Sequence, residues 1–403
     1  MIRSKVNLRG TFQETSAKPN DSLVLLLYRI GINVTCEYFG VCGSCKLYDL
    51  TYDEQLEQKL SGVKEMFSTL YSGSYDVAKS KEEHYRARSE FKLWHNGDDI
   101  TYAMNRLDKQ GVVHIDNCPM VNEQISELMP RLIEEIDKRK MGTKLFNIDF
   151  LSTTQGEIVV SLIYHIRLDE KWNALAQALS KDLGIHIIGR SRKQKVVIGQ
   201  DYVTETLNFA GKSYRFKQIE NSFTQPNPHV NEQMVTWALE QAKHSSGDLL
   251  ELYCGAGNFT IPFAGIFDKV LATEISKSSI NAAKENMKLN DTHNIEFVRM
   301  SSEEFTQALD GVREFRRMKD IDMSSYTLET LFVDPPRSGL DDRSREFCKR
   351  FKHLIYISCN PETLKRDLED LSGTFELVQM AAFDQFPYTH HLEMGAVLKK
   401  RDV

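Results

Sequence analysis

Long hydrophobic runs are missing from this 403-residue chain. The apolar run nearest the start, Leu23 to Tyr28, stops at Arg29, far short of the roughly 20 apolar residues a membrane helix needs. No small-residue cleavage site follows it, so a cytoplasmic location and no membrane contact are expected. Cysteine is scarce and odd in number: seven in all, with no export signal, which excludes a disulfide framework. A surplus of positive charge is also lacking. The formal net charge of −6 argues against unselective nucleic-acid binding, DNA included. No internal repeat and no low-complexity segment is present.

What is there reads as ordinary globular protein, with 41% hydrophobic and 27% charged residues over a length that suits two or three domains. Residues 51–70 place Leu56, Leu60, Val63, Met66, Phe67 and Leu70 at helical spacing, which predicts one amphipathic helix. From 84 to 205 short strand patterns ("SEFKLWH", "KLFNIDFL", "EIVVSLIYH", "KVVIGQ") alternate with helical stretches at 120–139 and 170–183, an α+β pattern. After about 229 the order becomes helix, strand, helix, strand. "DLLELY", "KVLATEI", "IEFVRM", "TLFVDPP" and "LIYISCN" are the buried strands of a doubly wound parallel sheet. The division expected is an N-terminal segment at 1–78, a central α+β domain at 79–215 and a Rossmann-like domain at 216–403. Two basic stretches, 84–95 and 189–195, offer a local cationic face, although such runs usually cover a solvated surface.

Ligands of doubly wound sheets sit beyond the carboxyl ends of the strands. There "LLELYCGAGNF" gives strand, Gly-rich turn and helix, with Gly255 and Gly257 freeing the backbone to approach a ligand. Neither the G-x-G-x-x-G of dinucleotide folds nor a P-loop is present. The second strand ends in Glu274, nineteen residues past Gly255, where an acid accepts hydrogen bonds from ribose hydroxyls. "VDPPRSG" ends a further strand in Asp334. A Gly turn, a strand-two acid and Asp-Pro-Pro resemble class I S-adenosylmethionine-dependent methyltransferases; a Rossmann-like domain without cofactor is the alternative. Asp-Pro-Pro also occurs in adenine amino-methyltransferases, but there an aromatic residue follows the prolines, and here Arg337 does.

Cys359 stands where the strand "LIYIS" leaves the sheet. Carbon 5 of uracil is a poor nucleophile towards a sulfonium methyl. A thiolate adding to carbon 6 makes it one, and a base must then remove the carbon-5 proton. An unperturbed thiol near pKa 8.5 is mostly protonated at neutral pH, so local activation of Cys359 is expected. Glu393, in "DQFPYTHHLEMG", is a base candidate. A buried small hydrophobe for Cys359 and a surface carboxylate for Glu393 are the bland alternatives. His390 and His391 read as packing or hydrogen-bonding residues.

"DLLELYCGAGNF", "VLATEI", "FVDPPRSGL", "YISCNPETL", "FDQFPYTHHLE", "FTQPN" and "EFKLWHNGDD" together resemble the RNA uridine-5-methyltransferases, and most of all their tRNA branch. The resemblance runs from about Glu82 to the C-terminus. It implies Cys359 as nucleophile and Glu393 as base. It implies cofactor contacts from Gln225, Tyr253, Asn258, Glu274 and Asp334. The substrate implied is the T-loop uridine of tRNA, converted to ribothymidine, with the central domain reading the folded T-arm. A monomer is expected.

Cys36, Cys42 and Cys45, in a C-x5-C-x2-C arrangement, need a fourth ligand to close a metal site, and Cys118 in "DNCPM" is the choice. The pattern resembles the [4Fe–4S] site of the ribosomal-RNA branch, and it departs from the tRNA branch, whose familiar members lack it. A structural [4Fe–4S] cluster is the favoured reading, with zinc or bare thiols as alternatives. Rival functions are methylation of 23S ribosomal RNA and an RNA-folding chaperone role on the same surface.

Overall fold

The computed structural model describes residues 36–97 and 99–402; the run Leu23 to Tyr28 lies outside them. Two sheets organise the chain. Strand β1 (Tyr75–Ala78) belongs to the second of them. The first is built from β2 (Arg88–Asn96), β3 (Asp99–Asn105), β4 (Val112–Ile115), β5 (Leu145–Ser152), β6 (Ile158–Tyr164), β7 (His186–Ser191) and β8 (Gln194–Ile198). Their spatial order is β4-β3-β2-β5-β6-β7-β8, antiparallel except where β6 meets β7. Helices Glu123–Lys138 and Glu170–Leu183 cover one face, burying Ile125, Met129, Leu132 and Ile136 against Phe91, Tyr102, Ile148 and Phe150. Each helix starts on a side-chain cap (Asn122, Asp169), which satisfies backbone donors that the first turn leaves free.

The hairpin β9 (Tyr202–Phe209) and β10 (Lys212–Ile219) turns through Ala210 and Gly211, both at positive φ, the geometry that suits the twist of a tight hairpin. Its apolar side (Leu207, Phe209, Tyr214, Phe216) packs on the core of the C-terminal sheet.

That sheet adds β11 (Asp248–Leu252), β12 (Val270–Thr273), β13 (Ile295–Val298), β14 (Leu328–Val333), β15 (His353–Ser358), β16 (Phe375–Phe383) and β17 (Glu393–Lys400), in the order β1-β16-β17-β15-β14-β11-β12-β13. All its pairings are parallel except those of β17 with β15 and β16. The doubly wound α/β expectation for this half is met. Four of its strands are wholly buried (β11 and β12) or nearly so (β14 and β15), so they read as mostly apolar runs and not as alternating ones.

The two basic stretches both fall on the first sheet, but much of their charge has internal partners. Arg88 donates to the carbonyls of Ser222 and Glu220. Arg190 grips Glu220 through two bonds (2.5 and 2.6 Å), and Lys195 pairs with Asp201 at 2.7 Å.

The helix Tyr52–Phe67 lies on the C-terminal core through Leu56, Leu60, Val63 and Phe67. A capping box between Thr51 and Glu54 starts it. Its one buried cation, Lys59, meets the buried Asp384 at 2.8 Å, with side chains 3% and 0% exposed. Lys59 also donates to the Phe386 carbonyl, and Gln55 accepts from the Tyr388 backbone at 2.7 Å. Two buried charges stay tolerable only while each answers the other. Lys59→Met, which strands Asp384, is therefore expected to lower unfolding free energy by about 3–5 kcal/mol in a denaturant titration; a loss under about 1 kcal/mol would show that the pair is not what holds this helix down.

Candidate active site

Strands β11, β12, β14 and β15 each end in a side chain that lines one cavity, because the chain turns there out of the ladder. After β11, Tyr253 takes a left-handed conformation (φ 64°), and Gly255 and Gly257 follow at φ 55° and 87°. A Cβ on Gly255 would meet nothing within 4 Å, so backbone conformation and not crowding requires glycine there. Glu274, just past β12, accepts from the Gly255 amide (3.2 Å) with one oxygen and from the Ser276 amide (2.6 Å) with the other. Tyr253 shares a hydrogen bond with Ser302 at 2.9 Å, and Asn258 exchanges two bonds with Asn231, each 2.9 Å.

After β14 the Asp334–Leu340 loop is stitched to the helix Pro361–Leu371. Asp367, fully buried, accepts from the Leu340 amide (2.8 Å), from Tyr356 (2.6 Å) and from Arg345 and Arg366. Asn360 and Thr363 donate to the Arg337 carbonyl. Gly339, at φ 73°, has no room for a side chain, since a Cβ would stand 2.7 Å from Asp367 Oδ2.

Cys359 occupies the short turn between β15 and that helix, whose cap is Asn360 and whose first residue is Pro361. The last registered pair of β15 with β17 is Ser358 opposite Met394. Cys359, in the turn just past β15, and Glu393, the first residue of β17, come next after that pair, and both line one cavity.

A cavity of about 680 Å³ covers these strand ends, within the range of small-molecule sites. Cys359, Glu393, Gln225, Tyr253, Asn258, Glu274 and Asp334 all line it. Buried oxygens of Gln225 and Glu393 that face it have no hydrogen-bond partner among the described residues. At its mouth stand two exposed apolar side chains, Phe223 (77%) and Ile275 (68%). Burial, and the neighbouring Asp334, push Glu393 up from 4.5 to about 8; burial pushes Asp334 up from 3.8 to about 7. The Cys359 thiol is raised too, by burial first and then by Glu393 and Asp334, against a lesser lowering by its own backbone and by Arg337. In the protein by itself burial first, and then the neighbouring carboxyls, favour the Cys359 thiol over the thiolate. His390 and His391 are exposed.

One cavity residue escaped the sequence reading. Glu251 interrupts the apolar run of β11, is raised by burial and by Asp334 to about 8, and has an unpartnered oxygen. An acid at the centre of a fully buried parallel strand was the signal.

The four cysteines of the proposed metal site line a second, smaller cavity of about 170 Å³. The loop carrying three of them is tied both to the first sheet (Gly43 amide to Asn105, 2.8 Å) and to the loop before Glu393 (Lys46 amide to Tyr388, 2.7 Å). Burial raises Cys36 to about 12 and lifts Cys45 and Cys118 as well, neighbouring thiols adding to each. Among the described residues no three His, Cys, Asp or Glu side chains converge as a single metal ion would require. The four thiols do line one cavity, and they are the donor set that a cluster or a zinc ion would take.

The model of the tRNA (Uracil-5-)-methyltransferase family matches residues 51–401. The chain belongs to that family. A tRNA/tmRNA (uracil-C(5))-methyltransferase of Sulfurimonas denitrificans is 58% identical over 369 residues, covering 91% of this chain and 100% of the relative. One of Acinetobacter baylyi is 47% identical, covering 87% and 99%. The crystal structure of Pyrococcus abyssi tRNA (uracil-54, C5)-methyltransferase in complex with S-adenosyl-L-homocysteine superposes with a TM-score of 0.67 at 25% identity, covering 88% of this chain and 85% of that one. Among the described residues of this family member no helix is long and apolar enough to cross a membrane.

The raised carboxyls carry a sign. A carboxyl whose folded-state pKa exceeds its unfolded value stabilises the fold below the unfolded value, and this contribution is lost as pH rises through the folded one. Ligand-free protein is therefore expected to lose stability between about pH 4.5 and pH 8, and Glu393→Gln to flatten part of that slope. Equal slopes in denaturation series of both proteins would show that Glu393 ionises freely in the fold.

Proposed function

We propose that this protein methylates carbon 5 of the T-loop uridine in tRNA, using S-adenosylmethionine, through a covalent adduct at Cys359. The observation that carries this reading is the pair Cys359 and Glu393 at one end of a cavity whose other end presents Glu274 and the Gly255 turn. The cofactor, when bound, supplies an electrophilic methyl group and a positive charge. Gln225, Tyr253, Asn258, Glu274 and Asp334 are the residues that would hold it, and the unpaired oxygen of Gln225 fits that role.

Cys359 adds its sulfur to carbon 6, and the electrons of the 5,6 double bond pass to carbon 5 and the neighbouring carbonyl. Carbon 5 would take the methyl group from the sulfonium, whose methyl–sulfur bond breaks to leave a neutral thioether. Glu393, as carboxylate, then removes the carbon-5 proton; the carbon–sulfur bond breaks, the double bond re-forms and the thiolate is regained. Glu393 is unpartnered on one oxygen and enclosed, which suits a base that must keep water from competing. Since burial and the carboxyls favour the thiol, Cys359 would release its proton to solvent more readily with a cationic cofactor bound nearby. Activation and cofactor binding are thereby coupled.

The substrate reading extends to the T-arm, met by the central unit (79–215) with the cofactor domain at 216–403 and an N-terminal segment at 1–78, in a cytoplasmic monomer. Extruding a loop base costs less than breaking one out of a duplex. Cys36, Cys42, Cys45 and Cys118 are proposed to hold a structural [4Fe–4S] cluster, since methyl transfer from a sulfonium moves no single electrons. A ribosomal-RNA target remains the alternative that such a cluster favours.

A T-arm hairpin with 5-fluorouridine at the loop position tests the chemistry, because fluorine cannot leave as a proton does. A methylated protein–RNA adduct is expected on a denaturing gel with the native protein and none with Cys359→Ala, which should still bind S-adenosylmethionine. With ordinary uridine, Glu393→Gln is expected to accumulate the same adduct. Adducts on a ribosomal hairpin but not on the T-arm would move the substrate, and no adduct on either would remove the thiolate step. For the cluster, anaerobically purified protein is expected to be brown with about four irons and matching sulfide per chain; colourless, iron-free protein sinks it.

A further inference from the structure

One wall of the large cavity is hung from the other sheet. Past the end of β10, Ser222, Phe223, Thr224 and Gln225 line the cavity, whereas Glu220 and Asn221 do not. None of the residues 221–225 is buried, so no apolar side chain anchors this run. Hydrogen bonds must place it instead. Two of them close the hairpin itself, Glu220 amide to Asp201 (3.0 Å) and Ser222 amide to Ile219 (2.9 Å). Among the described residues, the others that reach 220–226 come from the first sheet and the residue that leads into it. Ala87 donates its amide to the Pro226 carbonyl (2.8 Å), and Arg88 donates to the carbonyls of Ser222 and Glu220. Ser161 on β6 donates to the Glu220 carboxylate at 2.8 Å, beside the two bonds from Arg190 on β7.

Glu220 is the centre of this arrangement, and the reaction above gives it no task. Its side chain is 5% exposed, against 27% for Arg190. Burial by itself would raise its pKa. Arg190, Ser161 and Lys195 outweigh burial and hold it below its ordinary value, so it stays a carboxylate. A guanidinium fork on a carboxylate fixes direction as well as distance, which an ammonium does not. Three and five residues beyond this fixed point stand Phe223, at the cavity mouth, and Gln225, whose buried oxygen has no partner among the described residues.

We propose that Arg190 and Glu220 are positioning residues: their ion pair latches the Ser222–Gln225 wall to the first sheet and so sets the geometry of a cavity that neither residue lines. This rests on the methyltransferase reading. On either side of the wall the chain has holds of its own. The Lys217 amide bonds Asn286 at 2.7 Å, and Asn227 caps the helix Pro228–Ala242. Breaking the pair therefore releases the short run between them and leaves hairpin and helix in place. The freed Arg190, partly exposed already, can turn to water. Misplacing a ligand-orienting group by about 1 Å can cost about a hundredfold in rate without any loss of fold.

Two readouts on the full chain test this: calorimetric titration with S-adenosylhomocysteine, and the rate of adduct formation on the 5-fluorouridine hairpin with S-adenosylmethionine saturating. Glu220→Gln keeps the size of the side chain and removes its charge. It is expected to melt like native protein, to bind S-adenosylhomocysteine about tenfold more weakly and to form adduct about tenfold or more slowly. Arg190→Lys keeps both charges and loses only the fork, so it should fall between the two; it decides the matter alone if Glu220→Gln melts lower. The double variant should be no worse than Glu220→Gln, because a fork without its carboxylate holds nothing. A loss of affinity alone assigns the latch to the Gln225 end of the wall, and a loss of adduct rate alone to the Phe223 end; either supports it. Native affinity and native rate in both single variants overturn the proposal and leave the methyltransferase reading intact, and so do losses that simply multiply in the double variant. Native protein that forms no adduct and binds no S-adenosylhomocysteine overturns both.

Discussion

One reversed strand governs the chemistry of this protein. In a parallel sheet only carboxyl ends of strands reach the ligand crevice, so neighbouring strands offer residues that follow them. Strand β17 runs against its neighbours, and its first residue therefore arrives where β15 finishes. That is how Glu393 comes to line one cavity with Cys359 although thirty-four positions separate them in the chain. Had β17 been parallel, its start would lie at the opposite edge of the sheet, roughly 3.3 Å further for each residue of strand length. The thiol and the base would then share no cavity.

The rest of the architecture keeps that junction in place. On one side, Asp367 gathers the Asp334–Leu340 loop and the helix after Cys359 into a single hydrogen-bonded unit. On the other, the segment before Glu393 is clasped by the helix Tyr52–Phe67 through Lys59 and Gln55, and by the cysteine-bearing loop through the Tyr388 carbonyl. Buried polar contacts are directional, and each loses much if its partner shifts. The placement of Cys359 and Glu393 is thus held by groups that do not line their cavity. The cysteine-bearing loop is one of them.

Electrostatically the empty cavity is frustrated. Glu251, Asp334 and Glu393 are withdrawn from water in one space, and each resists ionisation. The thiol beside them follows. A cationic ligand relieves this, and its loss of charge on methyl transfer would restore it.

Much of this was legible in the sequence, for physical reasons that differ by element. The strands β11, β12, β14 and β15 announce themselves as apolar runs because both faces are buried. Gly255, Glu274, Asp334 and Cys359 are readable because each ends such a run, where the fold puts its ligand. The hairpin β9–β10 and the strands β16 and β17 were not read: their burial is mixed, and their place is set by pairing with distant segments. Glu251 was passed over because a lone acid inside an apolar strand shows its meaning only once Asp334 and an open cavity are seen beside it. The four cysteines illustrate the division well. Their spacing suggested one site, but only the folded chain brings Cys118, seventy-three positions beyond Cys45, to the same small cavity. Local pattern, then, determined the family, the sheet and the residues at its strand ends. Which of those residues face one another, and with what charge, was decided by tertiary structure alone, because strand direction and shared burial are properties of pairs that no single stretch of chain contains.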